Sequence, residues 1–262
     1  MKITQIKNKN IQKNSISLVE ENIEVLSAAR FVLSLDSTDD IDENILYPVD
    51  EEYYKKWKIN NYGVPAFISK KQNPPSHIRL DYITISSNIC PVNDLDLIEY
   101  SGLQIGEIEN NYFHKLLCYN SEIADSFTHS QNRTDINNIL STIHKQCDIM
   151  ENNGMPPKFI VCDTNVIIKL LSKHNNFTAA PTDFKPHIAN ITYNGMFINI
   201  ILNNLMGNDV YSDICLCADL IGPMHIKGGV REWYDNNNVI FTESIGMAIL
   251  EDKAVKRIIV EK

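Results

Sequence analysis

The sequence predicts an α+β fold, because helical and strand patterns occupy separate stretches of the chain. Apolar residues recur at helical spacing in residues 93–120 and again in 135–150. Residues 193–262 instead contain short β-prone runs separated by breaks too short to hold helices. Such runs have to fold back on one another, so we expect antiparallel strands at the C-terminal end of the chain.

Composition limits the class of protein. The chain has 262 residues, 44% of them hydrophobic, which suits one large or two small globular domains. It contains no apolar run of about eighteen residues, so no membrane span is expected. The N-terminus has no apolar signal region, so we expect the protein to stay in the cytoplasm where it is made. A net charge of -9 argues against a protein whose main task is to bind nucleic acid phosphates.

The cysteines predict buried thiols and not a disulfide framework, because all six are scattered singly through apolar surroundings. Cys215 and Cys217 share one face of a predicted strand, and His225 could complete a metal site with them. Zinc motifs usually separate paired cysteines by two to four residues, so core packing explains this pair better. No metal or cofactor is expected.

Residues 1–14 form a basic, asparagine-rich segment with the character of an arm that needs a partner. A helix is predicted over 18–35, and Ser17 with Glu20 has the form of a capping box. Residues 20–52 then carry eleven carboxylates and one arginine. This acidic stretch is either a solvated surface or an extended arm lying on a neighbouring molecule.

Residues 45–86 contain four prolines and too little apolar surface to fold as a core of their own. The pattern predicts a projecting hairpin stabilised by contacts elsewhere, with a strand over 79–85. Its aromatic residues are either anchors of an interface or a small local cluster. They are Tyr53, Tyr54, Trp57 and Tyr62.

The sequence from 93 to 192 predicts two long helices, followed by a strand, a short helix and a loop. Asn93 or Asp94 can cap the first helix, and Gly102 and Gly106 lie four residues apart, which indicates close packing against another backbone. The second helix ends at a proline-rich turn. A buried strand over 159–162, a short helix over 165–172 and a loop over 173–192 follow.

The remaining residues predict a series of strands. Two buried runs are followed by a longer strand broken at Gly228 and Gly229. Three more runs close the chain and are expected to pair with one another. In order, these segments are 197–202, 214–218, 224–234, 239–242, 247–250 and 255–260.

This order of strand, turn at Asn203-Asn204, strand, turn at Gly222-Pro223 and long strand resembles the C-terminal half of tailed-phage major capsid proteins. That family has the Hong Kong 97-type fold, which encapsulin shells share. The resemblance implies a peripheral domain built on a long spine helix and antiparallel strands, an apical α/β domain, an extended hairpin loop and an N-terminal arm. It implies these limits: N-terminal arm and helix 1–45, extended loop 46–86, spine helix 87–122, apical domain 123–223 and C-terminal strands 224–262.

By the same resemblance, many copies would assemble as pentamers and hexamers into an icosahedral phage head, built in the host cytoplasm. The head would enclose double-stranded DNA without sequence-specific contacts, with portal, scaffolding or cement proteins as possible partners. An encapsulin-type compartment is the alternative. The candidate subunit-interface residues are Lys2, Lys7, Lys9, Lys13, Tyr53, Tyr54, Trp57 and Tyr62.

Residues 159–166 also resemble the opening of PIN-domain ribonucleases, in which a strand ends in a Mg²⁺-binding aspartate. Asp163 would then need converging carboxylates for two-metal chemistry. The following strands do not form the alternating βαβ pattern of such nucleases, and Asp163 is well placed to cap the next helix. No catalytic residue is therefore assigned. The available acids are Asp183, Asp209, Asp213 and Asp219.

Overall fold

The computed structural model describes eleven stretches of the chain and contains five helices within them. The described residues are 15–38, 46–48, 66–67, 77–80, 82–127, 136–173, 177–179, 186–207, 211–219, 221–249 and 252–261. The helices are α1 (15–26), α2 (Ala28–Val32), α3 (Leu95–Asn120), α4 (Ile136–Asn152) and α5 (Thr164–Lys173).

Sixteen strands accompany these helices in the described residues. In the first half of the chain they are β1 (Ser34–Thr38), β2 (Leu46–Pro48), β3 (Ala66–Phe67), β4 (His77–Leu80), β5 (Ile83–Ser86), β6 (Cys90–Pro91) and β7 (Glu122–Phe127). In the second half they are β8 (Pro157–Cys162), β9 (Phe177–Ala179), β10 (His187–Tyr193), β11 (Met196–Leu202), β12 (Tyr211–Ala218), β13 (Pro223–Lys227), β14 (Arg231–Asp235), β15 (Asn238–Met247) and β16 (Val255–Glu261).

Helix α3, which lies where the spine helix is predicted, is the longest element of the described residues, with 26 residues. The side chain of Asp94 caps it by accepting a hydrogen bond from the backbone N–H of Leu97 at 3.1 Å, as the sequence predicts. Ile98, Ile105 and Phe113 lie on its buried side. This apolar stripe lets the helix pack against both large sheets along its length.

Helix α1 packs alongside α3 and runs in the same direction. A Cβ on Gly102 would lie 2.5 Å from the carbonyl oxygen of Val19, and one on Gly106 would lie 3.2 Å from the Cβ of Leu26. The two glycines therefore allow close approach of the helices, which confirms the predicted close packing. Val19 is fully buried, so this segment belongs to the core of its own chain.

The predicted capping box at Ser17 is wrong, because residue 17 already lies inside α1. The predicted single helix over 18–35 is divided at Ser27, whose hydroxyl oxygen accepts a hydrogen bond from the backbone N–H of Arg30 at 3.4 Å. Serine competes for backbone hydrogen bonds and favours helix starts over helix interiors, which explains the division. Within the acidic stretch 20–52, residues 20–33 carry core residues of their own chain, so neither a solvated surface nor an arm on a neighbour describes this part.

A six-stranded sheet packs on the first half of α3. Its main order is β1-β13-β15-β14, and β5 and β6 pair with β15 as well. β13 and β14 pair with successive parts of β15, and Gly228 and Gly229 lie between them with φ of 73° and 65°. These positive φ angles explain why the predicted long strand is broken at the glycine pair.

A seven-stranded sheet packs on the second half of α3, in the order β7-β16-β12-β8-β11-β10-β9. Phe31 of α2 contacts Phe159 of β8 edge to face, with ring centroids 6.1 Å apart. Side chains alternate along β12, and Asp213 faces α3, so Cys215 and Cys217 face the same way. All three residues are fully buried, which confirms the predicted core location of the two thiols.

The C-terminal runs differ from the predicted arrangement. Residues 238–247 form one strand, β15, where the sequence suggested two runs. β16 then crosses to the other sheet, where it pairs antiparallel with β12 and parallel with β7. The expected mutual pairing of the last three runs is therefore wrong. The residues between β15 and β16 are enough for the chain to change sheets, which apolar patterning alone does not reveal.

Two further predictions are corrected. The predicted strand over 79–85 is divided between β4 and β5, which belong to different sheets, and β4 lies between β2 and β3 in a three-stranded sheet. The predicted loop over 173–192 contains β9 and β10. Asn194 and Gly195, with φ of 48° and 83°, form the turn between β10 and β11. An Asn-Gly pair between two apolar runs is a strong hairpin signal that the loop interpretation overlooked.

Candidate functional site

The predicted interface residues all lie outside the described residues, so their role stays a prediction. They are Lys2, Lys7, Lys9, Lys13, Tyr53, Tyr54, Trp57 and Tyr62. The described residues instead bring together two buried charged clusters on α3, and each cluster joins the helix to one of the two large sheets.

The first cluster joins three elements that are distant in sequence. Arg30 of α2 donates from Nη2 to Glu109 Oε1 at 2.8 Å and from Nε to Glu109 Oε2 at 3.1 Å. The same Nη2 donates to both carboxylate oxygens of Glu243 on β15 at 2.7 Å. The side chains are 9%, 0% and 1% exposed respectively. One guanidinium thus connects the N-terminal segment, the spine helix and the six-stranded sheet.

The hydrogen bonds around Ser27 position Arg30. Asn110 of α3 accepts from the backbone N–H of Ala28 and donates to the carbonyl oxygen of Leu26, both at 2.8 Å. Its amide therefore satisfies backbone groups at the break between α1 and α2 that a continuous helix would satisfy itself. This fixes the angle at which α2 leaves α1 and directs Arg30 towards Glu109.

Two carboxylates share one cation in this cluster, and their pKa values move apart. Burial, together with the hydrogen bond and the charge of Glu109, raises the pKa of Glu243 to about 9. Burial alone would also raise the pKa of Glu109, but the charge of Arg30 lowers it below its ordinary value. At neutral pH the pair therefore holds one proton, on Glu243, and the cluster is electrically neutral.

The second cluster lies nearer the end of α3 and surrounds Asp213. Arg257 of β16 donates from Nε to Asp213 Oδ1 at 2.8 Å and from Nη2 to Oδ2 at 3.1 Å. His114 Nε2 lies 3.0 Å from the same Oδ2. Burial alone would raise the pKa of Asp213, but the hydrogen bonds from His114 and Arg257 lower it. The carboxylate is therefore a charged anchor between α3, β12 and β16.

This second cluster also has the composition of a metal site, because ligand atoms of His114, Cys118 and Asp213 lie within 4.8 Å of one another. Arg257 already donates two hydrogen bonds to Asp213, so a divalent cation bound there would lie beside a guanidinium. Burial, with the negative charge of Asp213, also raises the pKa of the Cys118 thiol to about 12, which opposes formation of the thiolate ligand. We interpret the cluster as an ion pair network.

The geometry at Asp163 favours the capping role over a metal role. Its Oδ1 accepts from the backbone N–H of Val166 at 2.9 Å, and its Oδ2 accepts from Ser212 Oγ at 2.6 Å. Of the other acids considered for a nuclease, Asp213 pairs with Arg257 and Asp219 forms a surface ion pair with Lys158. Asp183 and Asp209 lie outside the described residues.

The alternative metal grouping of Cys215, Cys217 and His225 is not brought together in the described part of the chain. The cysteines lie on β12 in the seven-stranded sheet, and His225 lies on β13 in the six-stranded sheet. The Nδ1 of His225 is 2.8 Å from the hydroxyl oxygen of Tyr82. Burial raises the pKa values of both thiols, which behave as core residues.

Two features of the sequence point to the Arg30 cluster, although apolar periodicity alone does not reveal it. Arg30 is the one basic residue among eleven carboxylates in 20–52. Val239, Phe241 and Ile245 alternate on the buried side of β15, and this alternation places Glu243 among them. A carboxylate on a buried strand face requires a partner, and an isolated arginine is a natural candidate.

None of the helices in the described part of the chain combines the length and apolar character needed to cross a bilayer. The sequence matches no protein-family model and no curated protein at a significant level.

Solved structures do match the chain over nearly its whole length. The virus-like particle from Pyrococcus furiosus matches with a TM-score of 0.56 and 9% identity, covering 94% of this chain and 98% of the other. The holo-SrpI encapsulin complex from Synechococcus elongatus matches with a TM-score of 0.52 and 11% identity, covering 89% of this chain and 87% of the other. At such low identity the similarity concerns architecture. The chain therefore has the Hong Kong 97-type capsid fold.

Proposed function

We propose that this protein is a shell-forming structural protein, of which many copies assemble into a closed icosahedral particle. The observation that carries the proposal is the match of the fold over 94% of this chain and 98% of the chain from the Pyrococcus furiosus virus-like particle. Because nearly the whole of both chains is aligned, the similarity is not limited to one shared domain within an unrelated protein.

The arrangement of charge within the subunit supports a mechanical role. Two buried charged clusters fasten the spine helix to the six-stranded sheet through Glu243 and to the seven-stranded sheet through Asp213. Removing one partner from a buried ion pair costs about 3 to 5 kcal/mol, so the pair of Asp213 with Arg257 in particular resists separation of the elements it joins. A wall unit that transmits force between neighbouring subunits needs rigid joints of this kind.

The candidate contact elements are the basic segment 1–14 and the extended loop 46–86. In the described residues of that loop, β2, β3 and β4 form a three-stranded sheet separate from both large sheets. Strand pairs this short are marginal without support from another surface. We assign that support to a neighbouring subunit, with Tyr53, Tyr54, Trp57 and Tyr62 as the aromatic contacts.

We assign the spine helix to 87–122, the apical domain to 123–223 and the C-terminal strands to 224–262. Within this scheme β16 is a C-terminal strand that joins the seven-stranded sheet of the apical domain. This shared strand makes it difficult for the apical domain to move independently of the C-terminal strands.

For the contents of the particle we propose double-stranded DNA in a phage head, assembled in the host cytoplasm. The net charge of -9 supports this content, because a non-basic wall does not adhere to packed DNA. An encapsulin-type compartment with protein cargo is the second candidate, and the fold match to the encapsulin complex favours it. The proposal includes no catalytic step.

Purified particles separate these possibilities. We expect negative-stain electron micrographs of the full-length chain to show closed shells of uniform diameter. Particles from infected or lysogenic cells should contain nuclease-resistant double-stranded DNA if the protein forms a phage head. Copurifying protein cargo without DNA supports the encapsulin-type compartment instead. A chain that elutes as a monomer and forms no particle at any concentration contradicts both.

A further inference from the structure

The two carboxylates that share Arg30 give the N-terminal segment a response to pH that shell assembly does not require. Glu109 and Glu243 come from different elements, and both carboxylates accept hydrogen bonds from the same Nη2 of Arg30, at 2.7 to 2.8 Å. If both were ionised, the three groups would carry one uncompensated negative charge in a site where the side chains are at most 9% exposed. Buried charge of this kind is unfavourable, and moving a group into water relieves it.

The element that can move is the one that supplies Arg30. The spine helix and β15 are long elements held within the core, with 26 and 10 residues. Helix α2 has only five residues and is joined to the rest of the N-terminal segment through the break at Ser27. Detachment of α1 and α2 from α3 would expose Val19, Ile23 and the other core residues of the segment, so it is a rare local opening. It would bring water to the site and leave both sheets intact except for the edge pairing of β1 with β13.

We propose that Arg30, Glu109 and Glu243 form a protonation-controlled switch that releases residues 15–33 from the spine helix when Glu243 loses its proton to solvent. In the closed state Glu243 is a neutral carboxylic acid that accepts from Arg30, and Glu109 is ionised. Loss of the proton as the pH rises leaves two carboxylates on one guanidinium, and the segment detaches so that water can solvate them.

The other charged groups around the site do not supply the same response. On the side of β15 that faces the helices, the register places Glu232 of β14 beside Phe241, and Glu20 of α1 approaches Gly229. Both are acids, so they add to the repulsion and do not compensate Glu243. His225 and Arg231 lie on the opposite face of the sheet, because their register partners Gly246 and Thr242 alternate with Glu243 along β15. Lys227 is two residues from His225 on β13 and shares its face.

The direction of the effect follows from the difference between the closed and open states. Glu243 has an ordinary pKa near 4.5 when exposed, and burial raises its pKa to about 9 in the closed state. Opening therefore releases a proton between these two pH values. The closed segment loses the contribution of Glu243 as the pH rises from about 4.5 to about 9 and changes little above that. Below about pH 4.5 it loses the contribution of Glu109 instead, because the pKa of Glu109 is lowered in the closed state.

Hydrogen exchange read by mass spectrometry tests the proposal on the full-length chain, in whatever assembly state it purifies. Protection factors, which correct for the intrinsic pH dependence of exchange, are measured for peptides within 15–33 between pH 6.5 and 8.5. For the wild type we expect protection to fall about tenfold per pH unit, or about a hundredfold over the range. Peptides of α4, remote from the cluster in sequence and contacts, should keep their protection.

Variants identify the group responsible. Glu243→Gln keeps the shape and cannot ionise, so protection of 15–33 should be independent of pH. Glu109→Gln leaves one carboxylate for Arg30 and should also abolish the slope, which preserves the test if the first variant fails to fold. Glu107→Gln, at an exposed position of the same helix as Glu109, is the matched control and should retain the wild-type slope. Equal slopes in the wild type and in either cluster variant, or an equal loss of protection in α4, would overturn the proposal.

Discussion

Gly102 of the spine helix lies directly against the backbone of Val19, because a Cβ at Gly102 would be 2.5 Å from the Val19 carbonyl oxygen. Backbone atoms cannot move aside as a flexible side chain can, so even one methyl group forces the two helices apart. The contact makes a helix-destabilising residue necessary in the middle of the longest helix.

Replacing Gly102 with Ala should therefore destabilise the protein, although alanine favours helix formation by about 1 kcal/mol. Overpacking against a backbone typically costs about 1 to 3 kcal/mol, so we expect a net loss of about 1 kcal/mol in the free energy of unfolding. Urea denaturation measures it. Gly106→Ala should cost less, because the nearest atoms there belong to the Leu26 side chain. Asn111→Ala, at an exposed position of α3, is the control.

The Arg30 cluster predicts a large effect from loss of its cation. Arg30→Met leaves Glu109 and Glu243 buried without a positive charge, and we expect a loss of about 3 to 5 kcal/mol in the free energy of unfolding at neutral pH. Adding Glu109→Gln and Glu243→Gln to this variant should restore part of the lost free energy of unfolding, because no buried charge then remains in the cluster. If the triple variant is no more stable than Arg30→Met, the electrostatic explanation is wrong.

Asp213 predicts a stability change at acidic pH. Its pKa is lowered in the folded protein from an ordinary value near 3.8, so its contribution is present above about pH 4 and is lost as the pH falls below that. Asp213→Asn should destabilise the protein by about 3 kcal/mol at pH 7. The difference from the wild type should shrink towards pH 2, as thermal unfolding at a series of pH values would measure. A difference that stays constant with pH would contradict this role.

The two proposed contact elements predict defects in assembly without defects in folding. Deletion of residues 1–14 should abolish particle formation and leave the melting temperature of the unassembled chain unchanged, because we assign this basic segment to contacts with a neighbouring subunit. Deleting 1–45 would be uninformative, since it removes Val19, Ala28 and other fully buried residues. Wild-type particles seen in electron micrographs of the 1–14 deletion would exclude this segment as a contact element.

The aromatic residues of the extended loop predict a separate defect. Trp57→Ser should reduce the yield of particles by removing an interface anchor. Loss of such an anchor typically costs about 2 kcal/mol or more of association free energy at each contact. Trp57→Phe is the matched control, because it retains most of the apolar surface. Light scattering during assembly would follow both. Equal assembly rates for the serine variant and the wild type would show that Trp57 makes no subunit contact.

The order of elements could be predicted from sequence wherever local patterns decided the structure. The stripe through Ile98 and Ile105 gave the spine helix, and Gly102 with Gly106 gave its close packing against another backbone. The pattern could not reveal that α1 is the packing partner, or that β16 joins the other sheet, because these are pairings between distant segments. Periodicity identifies a buried face but not the surface that covers it.

The Arg30 cluster is the clearest example of this limit. Its members are separated by 79 and 213 residues in sequence, and each alone resembles an ordinary charged residue. Glu243 lies in a strand pattern whose alternate residues are apolar, and Arg30 is the one basic residue in an acidic stretch. Both positions are therefore unusual in the sequence itself. Only the fold brings them to one place. The predicted interface, in contrast, depends on contacts between copies, which a single chain does not contain.

The state of assembly tests the central claim most directly. Mass photometry of the purified full-length chain at neutral pH, with electron micrographs of the same sample, should show closed particles of megadalton mass and uniform size. A stable species near the 29.9 kDa of one chain, or a small oligomer, with no shells over a wide range of concentration and salt, would contradict the proposal that this fold builds a container.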